Sequence, residues 1–227
     1  MPLTAIPIGF TAGTAAGVDG TTFRAASVQL KPAEPGGNGH FSVGLSSGIM
    51  AAALGANSEI VQFRWSDAFR FAVIRKIRFD ACVSTTFFAA GVPLQFDMLK
   101  ANAWTAAGSG GNRITPAALL KKRTSHSTTL MAASDVGCAS TAALTAGTKT
   151  LEGTPMQAIV APGPITLSLN GQIVEPGTIF WQAEVGDGEH PLVLHQNEGF
   201  VIRAVAVPIT GTWSFRCQID WAEVDSY

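Results

Sequence analysis

The pattern that comes closest to a catalytic motif is G-x-S-x-G at residues 44–48, which puts Ser46 in the position of a hydrolase nucleophile. In α/β-hydrolases this serine lies on a sharp turn between a buried strand and a helix, and an acid and a histidine follow it. That fold also places several strand–helix units before the motif, whereas no clear helical pattern precedes Ser46. We predict a glycine-bordered bend in a β-strand here, and an esterase acting through Ser46 stays an alternative hypothesis.

A second group of reactive side chains comprises Asp187, Glu189, His190 and His195. A metal site requires several such ligands to converge on one point. On a regular strand His190 and His195 point to opposite faces, because their separation is an odd number of residues. The chain also lacks a P-loop, a dinucleotide fingerprint, a CxxC pair and an HExxH motif. We therefore predict no catalytic, cofactor-binding or metal-binding residues, and a protein that is not an enzyme.

Two other sets of side chains could contact a partner. The basic cluster Lys121, Lys122 and Arg123 predicts a solvated surface, with a phosphate or partner contact as the alternative. Tryptophans could form a sugar-stacking platform if they shared one exposed face, but most of them lie on apolar faces of predicted strands. Core packing is therefore the prediction for Trp65, Trp104, Trp181, Trp213 and Trp221.

Composition excludes several classes of function. The 227 residues include 15 Lys and Arg against 16 Asp and Glu, so the formal net charge of −1 gives no field that would attract nucleic acid. No window of about 18–20 apolar residues predicts a membrane span, and no signal-like start is evident. Three cysteines without CxxC spacing indicate a protein made in a reducing cytoplasm, and Cys217 is expected to behave as a small hydrophobe.

The strand signals are clearest at the C-terminus. Residues 213–221 alternate large apolar with polar side chains, which is typical of a strand with one buried face. Residues 200–207 are apolar on nearly both faces, which predicts a central strand that forms a hairpin with 213–221. Strands are also predicted at 61–65 and 71–83, with Phe71, Val73 and Ile77 on one face and Arg75 as an interruption. Turn signals recur every 8–12 residues or so after Met156, which predicts an all-β sandwich.

The domain organisation follows from the remaining segments. Residues 1–20 are predicted to be an extended N-terminal arm that docks on a partner through Ile6, Ile8 and Phe10, with a disordered terminus as the alternative. Residues 21–227 are predicted to be a single β-sandwich domain, whose first strand is 21–30. Residues 41–54 are compatible with helix or strand, and 116–153 are predicted to be long connections with short extended pieces.

Several phrases occur together in order and carry a resemblance to a known group of proteins: 48–54 (GIMAAAL), 62–65 (QFRW), 139–148 (ASTAALTAGT), 198–203 (EGFVIR), 211–213 (GTW) and 220–223 (DWAE). The combination resembles tailed-bacteriophage virion structural proteins, from about residue 40 to the C-terminus. None of the phrases is a catalytic motif, so the resemblance depends on their order.

That resemblance implies a β-sandwich of jelly-roll type that decorates or cements the capsid. The implied partners are the major capsid protein and other copies of the chain, as a dimer or trimer, with neither nucleic acid nor membrane. The implied location is the capsid surface of the virion after synthesis in the host cytoplasm. A receptor- or glycan-binding head or tail module is the alternative.

Overall fold

A computed structural model describes residues 5–6, 16–17, 38–51, 54–86, 88, 93–115, 120–161, 172–174, 176–183, 190–206 and 210–227. The chain divides into two compact units, Met1–Glu34 and Pro35–Tyr227. In the first unit, strand β1 (Ala5–Ile6) pairs antiparallel with strand β2 (Ala16–Gly17). The predicted strand at 21–30, the boundary after residue 20, and the predicted contact residues Ile8 and Phe10 lie outside the described residues.

The larger unit contains two antiparallel sheets, of which the front sheet is centred on the last strand. Strand β16 (Thr212–Val224) lies between β3 (Gly39–Ser46) and β6 (Phe71–Val83). Four short strands complete the sheet. Three of them pair with β6 and the fourth with β16: β12 (Gln172–Val174), β13 (Ile179–Gln182), β14 (Leu192–Leu194) and β4 (Met50–Ala51).

The back sheet is centred on β15 (Glu198–Ala206), which lies between β5 (Ser58–Trp65) and β7 (Leu94–Ala106). Its flanking strands are β10 (Thr148–Leu151) and β11 (Gln157–Ala161) on β7, and β9 (Val136–Cys138) followed by β8 (Asn112–Arg113) on β5. The two sheets pack face to face, and the described residues include no α-helix. The predicted all-β sandwich is confirmed, as is the central position of β15.

The core lies between the sheets because each sheet turns one row of large side chains inward. In β16 this row is formed by the odd-numbered residues, and all of its members are buried: Trp213, Phe215, Cys217, Ile219 and Trp221. Trp221 meets Phe63 of the back sheet edge-on, with ring centroids 5.5 Å apart, and Phe79 meets Phe96 at 4.8 Å. Each such side chain contributes roughly 1.5–3 kcal/mol on full burial.

A β-bulge in β6 changes which of its side chains face the core. Opposite β16 the register shifts between Asp220, which pairs with Lys76, and Trp221, which pairs with Ile74. Arg75 is the extra residue, and a single extra residue reverses the faces of the strand on one side of it. Phe71 and Val73 therefore lie on the outer face, so their predicted place in one row with Ile77 is wrong.

The predicted C-terminal hairpin is also wrong. Strand β15 pairs with β5 and β7 in the back sheet, whereas β16 pairs with β3 and β6 in the front sheet. The chain therefore leaves the back sheet at Ala206 and enters the front sheet at Thr212. Alternation along a strand shows that one of its faces is buried, but it does not show which strand it pairs with. The two strands that are consecutive in sequence were therefore predicted to pair, whereas they lie in opposite sheets.

The segment predicted to form long connections, 116–153, is described over 120–153. Its extended pieces there are β9, which pairs with β5, and β10, which pairs with β7. Strand β8, which pairs with β9, lies before it. The described residues contain no helix with the length and hydropathy needed to cross a bilayer.

Candidate functional site

Ser46 does not occupy a nucleophile turn. It is the exposed last residue of β3 and pairs with Arg216 of β16. Residues 47–49 and the short strand β4 follow it, where a hydrolase would begin a helix. A cavity of about 350 Å³ beside Ser46 is lined by Arg78, Asp80, Arg216 and other residues, none of which is a histidine. The described residues therefore place Ser46 at the end of an edge strand, and those that line the adjoining cavity include an acid, Asp80, but no histidine that could act as the base.

The cysteines are free thiols in the structure. Burial raises the pKa of Cys138 to about 12. Burial also raises the pKa of Cys217, with smaller effects from Cys138 and Asp80. Both thiols stay protonated near neutral pH, so neither offers the thiolate that nucleophilic chemistry requires. Cys217 packs in the core as the small hydrophobe that the sequence predicts.

The basic cluster extends the edge of the front sheet. Lys121 forms a bridge with Phe41 of β3, and the Lys122 amide donates to the His40 carbonyl at 2.9 Å. The Lys122 ammonium lies 2.9 Å from Asp220 Oδ1. Arg123 is exposed, and its carbonyl accepts a hydrogen bond from the His126 amide at 3.0 Å. Lys122 thus has an intramolecular role, although the ion pair leaves part of its side chain in solvent.

Asp220 gives this edge a defined dependence on pH. Burial opposes its ionisation, but hydrogen bonds from Ser42, Lys122 and Gln218 and the charge of Lys122 outweigh burial and lower its pKa. A carboxylate with a lowered pKa adds stability above its unfolded pKa of about 3.9 and loses it as the pH falls through the folded value.

We expect Asp220→Asn to lower the free energy of unfolding at pH 7 by about 1 kcal/mol, the order expected for hydrogen bonds to a charged group with a solvent-exposed partner. The difference from wild type should shrink as the pH falls below about 4, because the unfolded wild type then binds a proton at Asp220 that the native state, with its lowered pKa, binds only at lower pH. Urea titrations at pH 7 and pH 3 measure both values. If the difference in unfolding free energy between Asp220→Asn and the wild type is the same at both pH values, the charge of Asp220 does not stabilise the folded state.

Four of the five tryptophans are core residues, as predicted. Trp65, Trp104, Trp213 and Trp221 are fully buried, while Trp181 is only partly buried and lies at the edge of the core. The exposed rings of His190 and His195 contact other rings, with centroids 5.2 Å from Tyr227 and 5.1 Å from Phe71 respectively.

No family model, curated protein or solved structure matches the chain. Within the described residues, no three His, Cys, Asp or Glu side chains are grouped so that they could hold a metal ion. Asp187 and Glu189 lie outside those residues. The candidate sites therefore depend on the contacts of individual side chains.

A buried ion pair that the sequence does not reveal fixes the start of β10. Lys149 Nζ lies 2.8 Å from Glu59 Oε2, and both side chains are almost fully buried. The same ammonium lies 4.6 Å from the centroid of the Trp104 ring. Gln62 Nε2 donates to Glu59 Oε2 at 2.5 Å and to the Thr145 carbonyl at 2.8 Å. The group ties residues 145–149 to β5 of the back sheet.

A second buried carboxylate, Glu223 at the end of β16, fixes residues 129–130. Its oxygens accept hydrogen bonds from Asn38 Nδ2 at 3.1 Å, the Leu130 amide at 3.0 Å and Trp221 Nε1 at 3.1 Å. Thr129 Oγ1 donates a fourth. Four donors therefore replace the water that a carboxylate would otherwise require.

A third buried carboxylate, Asp135, lies immediately before β9 and fixes the start of that strand. It accepts from Ser66 Oγ at 2.6 Å and from the Ala132 amide at 2.9 Å. Arg64 Nε lies 3.1 Å from Asp135 Oδ1 without hydrogen-bond alignment, so this contact is an ion pair only. The long segment 107–147 is thus held against the sandwich by buried charges and not by apolar packing alone.

The turn between β5 and β6 presents Phe69 to solvent. The Phe69 residue is 87% exposed. Asp67 Oδ1 accepts hydrogen bonds from the amides of Phe69 at 2.9 Å and Arg70 at 2.8 Å. Trp65 Nε1 donates to the Arg70 carbonyl at 2.7 Å. The side chain therefore projects from a turn that is fixed on both sides.

Other exposed groups surround this turn. Arg70 Nε forms an ion pair with Asp225 Oδ1 at 2.6 Å, which brings the C-terminus beside the turn. Tyr227 is 61% exposed and contacts His190. We define the Phe69 end as residues 66–70, 190–197 and 225–227.

A cavity of about 470 Å³ opens between the two sheets and is lined in part by residues of the Phe69 end. Strands β7 and β15 supply one wall, and β13 and β14 supply the other. Its lining includes four side chains that can bind a polar ligand: Lys100, Trp181, His190 and Glu198.

Proposed function

We propose that the protein is a virion structural protein that decorates or cements a bacteriophage capsid. The sequence resemblance supports this function, and so does a weakly charged surface that suits contact with another protein. The proposed location is the capsid surface, and the proposed partners are the major capsid protein and other copies of the chain. The arm residues Ile6, Ile8 and Phe10 and the basic residues Lys121, Lys122 and Arg123 remain proposed contacts.

The order of the strands supports a jelly-roll topology, which we propose as the finer description of the sandwich. The front sheet runs β3, β16, β6 and then β12–β14, while the back sheet runs β5, β15, β7 and then β10–β11. Consecutive long strands mostly alternate between the sheets, as in a double-sheet roll of two Greek keys. On this assignment β8 and β9 are additions beside β5.

The observation that carries the function is the fixed exposure of Phe69. Phe is one of the aromatic residues enriched in the buried cores of protein interfaces, and a few residues in such cores supply most of the binding energy. Ordering a loop on binding costs free energy, and a turn that is already fixed avoids much of that cost. Phe69 belongs to none of the hydrophobic clusters that the described residues form, so we propose that it inserts into an apolar pocket of the capsid protein.

Phe69→Ala is expected to weaken binding to purified capsids by about 30-fold, which corresponds to a typical hot-spot loss of about 2 kcal/mol. Its unfolding temperature should equal that of the wild type because the side chain is in solvent. Cosedimentation of labelled protein with capsids over a range of protein concentrations measures the affinity.

Val160→Ala is the matched control, since Val160 is also exposed but lies on β11 and outside the Phe69 end. It should bind capsids like the wild type. Equal affinity of Phe69→Ala and wild type would remove the proposed contact, and failure of the wild type to bind any capsid would contradict the decoration function itself.

A further inference from the structure

We infer that the cavity between the sheets at Lys100, Trp181, His190 and Glu198 is a binding site for a hexopyranose unit of a glycan. The inference goes beyond capsid decoration and does not depend on it. A volume of about 470 Å³ falls in the range of roughly 300–1,000 Å³ that small-molecule sites occupy.

Two charged residues stand at positions of the back sheet that face the core. Lys100 pairs with Phe200 and Glu198 pairs with Trp65. Directly paired residues of neighbouring strands project to the same face, and Phe200 and Trp65 are core residues. The inward rows of β7 and β15 thus change from apolar to charged where they reach the cavity. Convergent polar groups fix the orientation of a ligand in such a site, and the lining of this cavity combines them with apolar side chains.

These charged groups keep donors and acceptors for a ligand. The Lys100 ammonium has three N–H donors and lies 3.0 Å from one carboxylate oxygen of Glu152. Glu198 Oε2 accepts the His195 amide at 2.8 Å, which fixes the carboxylate and leaves Oε1 for a second donor. An ammonium and a carboxylate that line the same cavity can each bind a hydroxyl group of one ligand, because a hydroxyl donates once and accepts twice.

The histidine of the cavity adds a further acceptor. His190 Nδ1 lies 2.7 Å from the Pro191 carbonyl oxygen. A carbonyl oxygen only accepts, so Nδ1 carries the proton and Nε2 of the neutral ring is an acceptor.

Trp181 on one side of the cavity favours a ligand ring that has an apolar face and a polar edge. Trp181 is the tryptophan that the core leaves partly exposed, and it lines the cavity beside Leu192 and Met156. The C–H face of a pyranose carries partial positive charge and packs on the electron-rich face of an indole, while the hydroxyl edge reaches polar groups. A flat apolar ligand would use none of the donors and acceptors that Lys100 and Glu198 still have after their contacts with Glu152 and the His195 amide. A phosphate would face the Glu198 carboxylate.

The test is ligand-observed saturation-transfer NMR on the full chain with four separate probes: glucose, galactose, mannose and N-acetylglucosamine. At least one is expected to bind with a dissociation constant on the order of 1 mM. Trp181→Ala and Glu198→Gln should each weaken that binding at least tenfold. The amide introduced by Glu198→Gln keeps an oxygen for the His195 N–H, so this variant tests the charge without removing the turn contact.

Ile179→Ala is the control, because Ile179 is on the same strand as Trp181 and half exposed but does not line the cavity. It should bind the sugar like the wild type, and all three variants should bind capsids normally. The site is wrong if none of the four sugars binds the wild type, or if the binding survives in Trp181→Ala. If the wild type fails to bind capsids, the decoration function is contradicted, but the sugar-binding result is unaffected.

Discussion

Replacing Glu223 with alanine is expected to lower the free energy of unfolding by about 3–5 kcal/mol, which is at the upper end for a single substitution. The carboxylate is fully buried and accepts four hydrogen bonds, so its removal leaves donors on Asn38, Thr129, Leu130 and Trp221 without an acceptor. Each buried donor left unsatisfied costs about 1–3 kcal/mol, and structural relaxation recovers part of the sum. Urea titration followed by tryptophan fluorescence measures the loss.

Glu152→Ala is the matched control for Glu223→Ala. Glu152 forms its ion pair with Lys100 at the surface, where both side chains are about two-fifths exposed. Surface pairs contribute about 0–1 kcal/mol, so this variant should differ little from the wild type. Losses of similar size in the two variants would contradict the structural role of Glu223.

Replacing Lys149 with methionine is expected to cost about 3–5 kcal/mol as well, for a different reason. Methionine fills most of the space but leaves the Glu59 carboxylate buried without its ion-pair partner, so that of the two cations Lys149 and Arg113 only Arg113, which forms no ion pair with it, still acts on its charge. Removing one partner of a buried ion pair is more costly than removing both, because the remaining charge is uncompensated. The cation–π contact with Trp104 is lost too and adds about 0.5–2 kcal/mol.

The double variant Glu59→Gln with Lys149→Met distinguishes this explanation from a simple packing defect. Removing the second charge should recover most of the loss, since the amide oxygen introduced by Glu59→Gln can still accept from Gln62. Lys100→Met at the exposed pair with Glu152 is the surface control and should cost less than about 1 kcal/mol. If the double variant is no more stable than Lys149→Met alone, the uncompensated charge is not the cause.

The strands were predictable from sequence where one face is buried and the other is exposed to solvent. The alternation in β16 correctly predicted its buried odd-numbered row, and the two-faced apolar character of β15 correctly predicted a central strand. The bulge at Arg75 was not predictable, because one inserted residue leaves an alternating pattern on each side and changes only the phase between them. The assignment of β15 and β16 to opposite sheets was missed for the related reason that alternation carries no information on pairing.

The candidate sites were less predictable than the fold. Glu223 and Lys100 each continue an inward row after apolar residues, so a charged residue in phase with the core was a usable signal that the sequence interpretation missed. Phe69 had no such signal, because an aromatic residue in a turn is as compatible with burial as with exposure. Its exposure depends on the hydrogen bonds of Asp67 and Trp65, which only the folded turn brings together.

The most direct test of the proposed function is a cryo-electron microscopy reconstruction of purified particles, with the copy number measured by quantitative mass spectrometry. We expect density for the two-sheet sandwich at repeated positions on the capsid surface, oriented with Phe69 against the major capsid protein, in a copy number set by the capsid symmetry. Absence of the protein from the particles, or its presence in a few copies at the tail alone, would contradict capsid decoration.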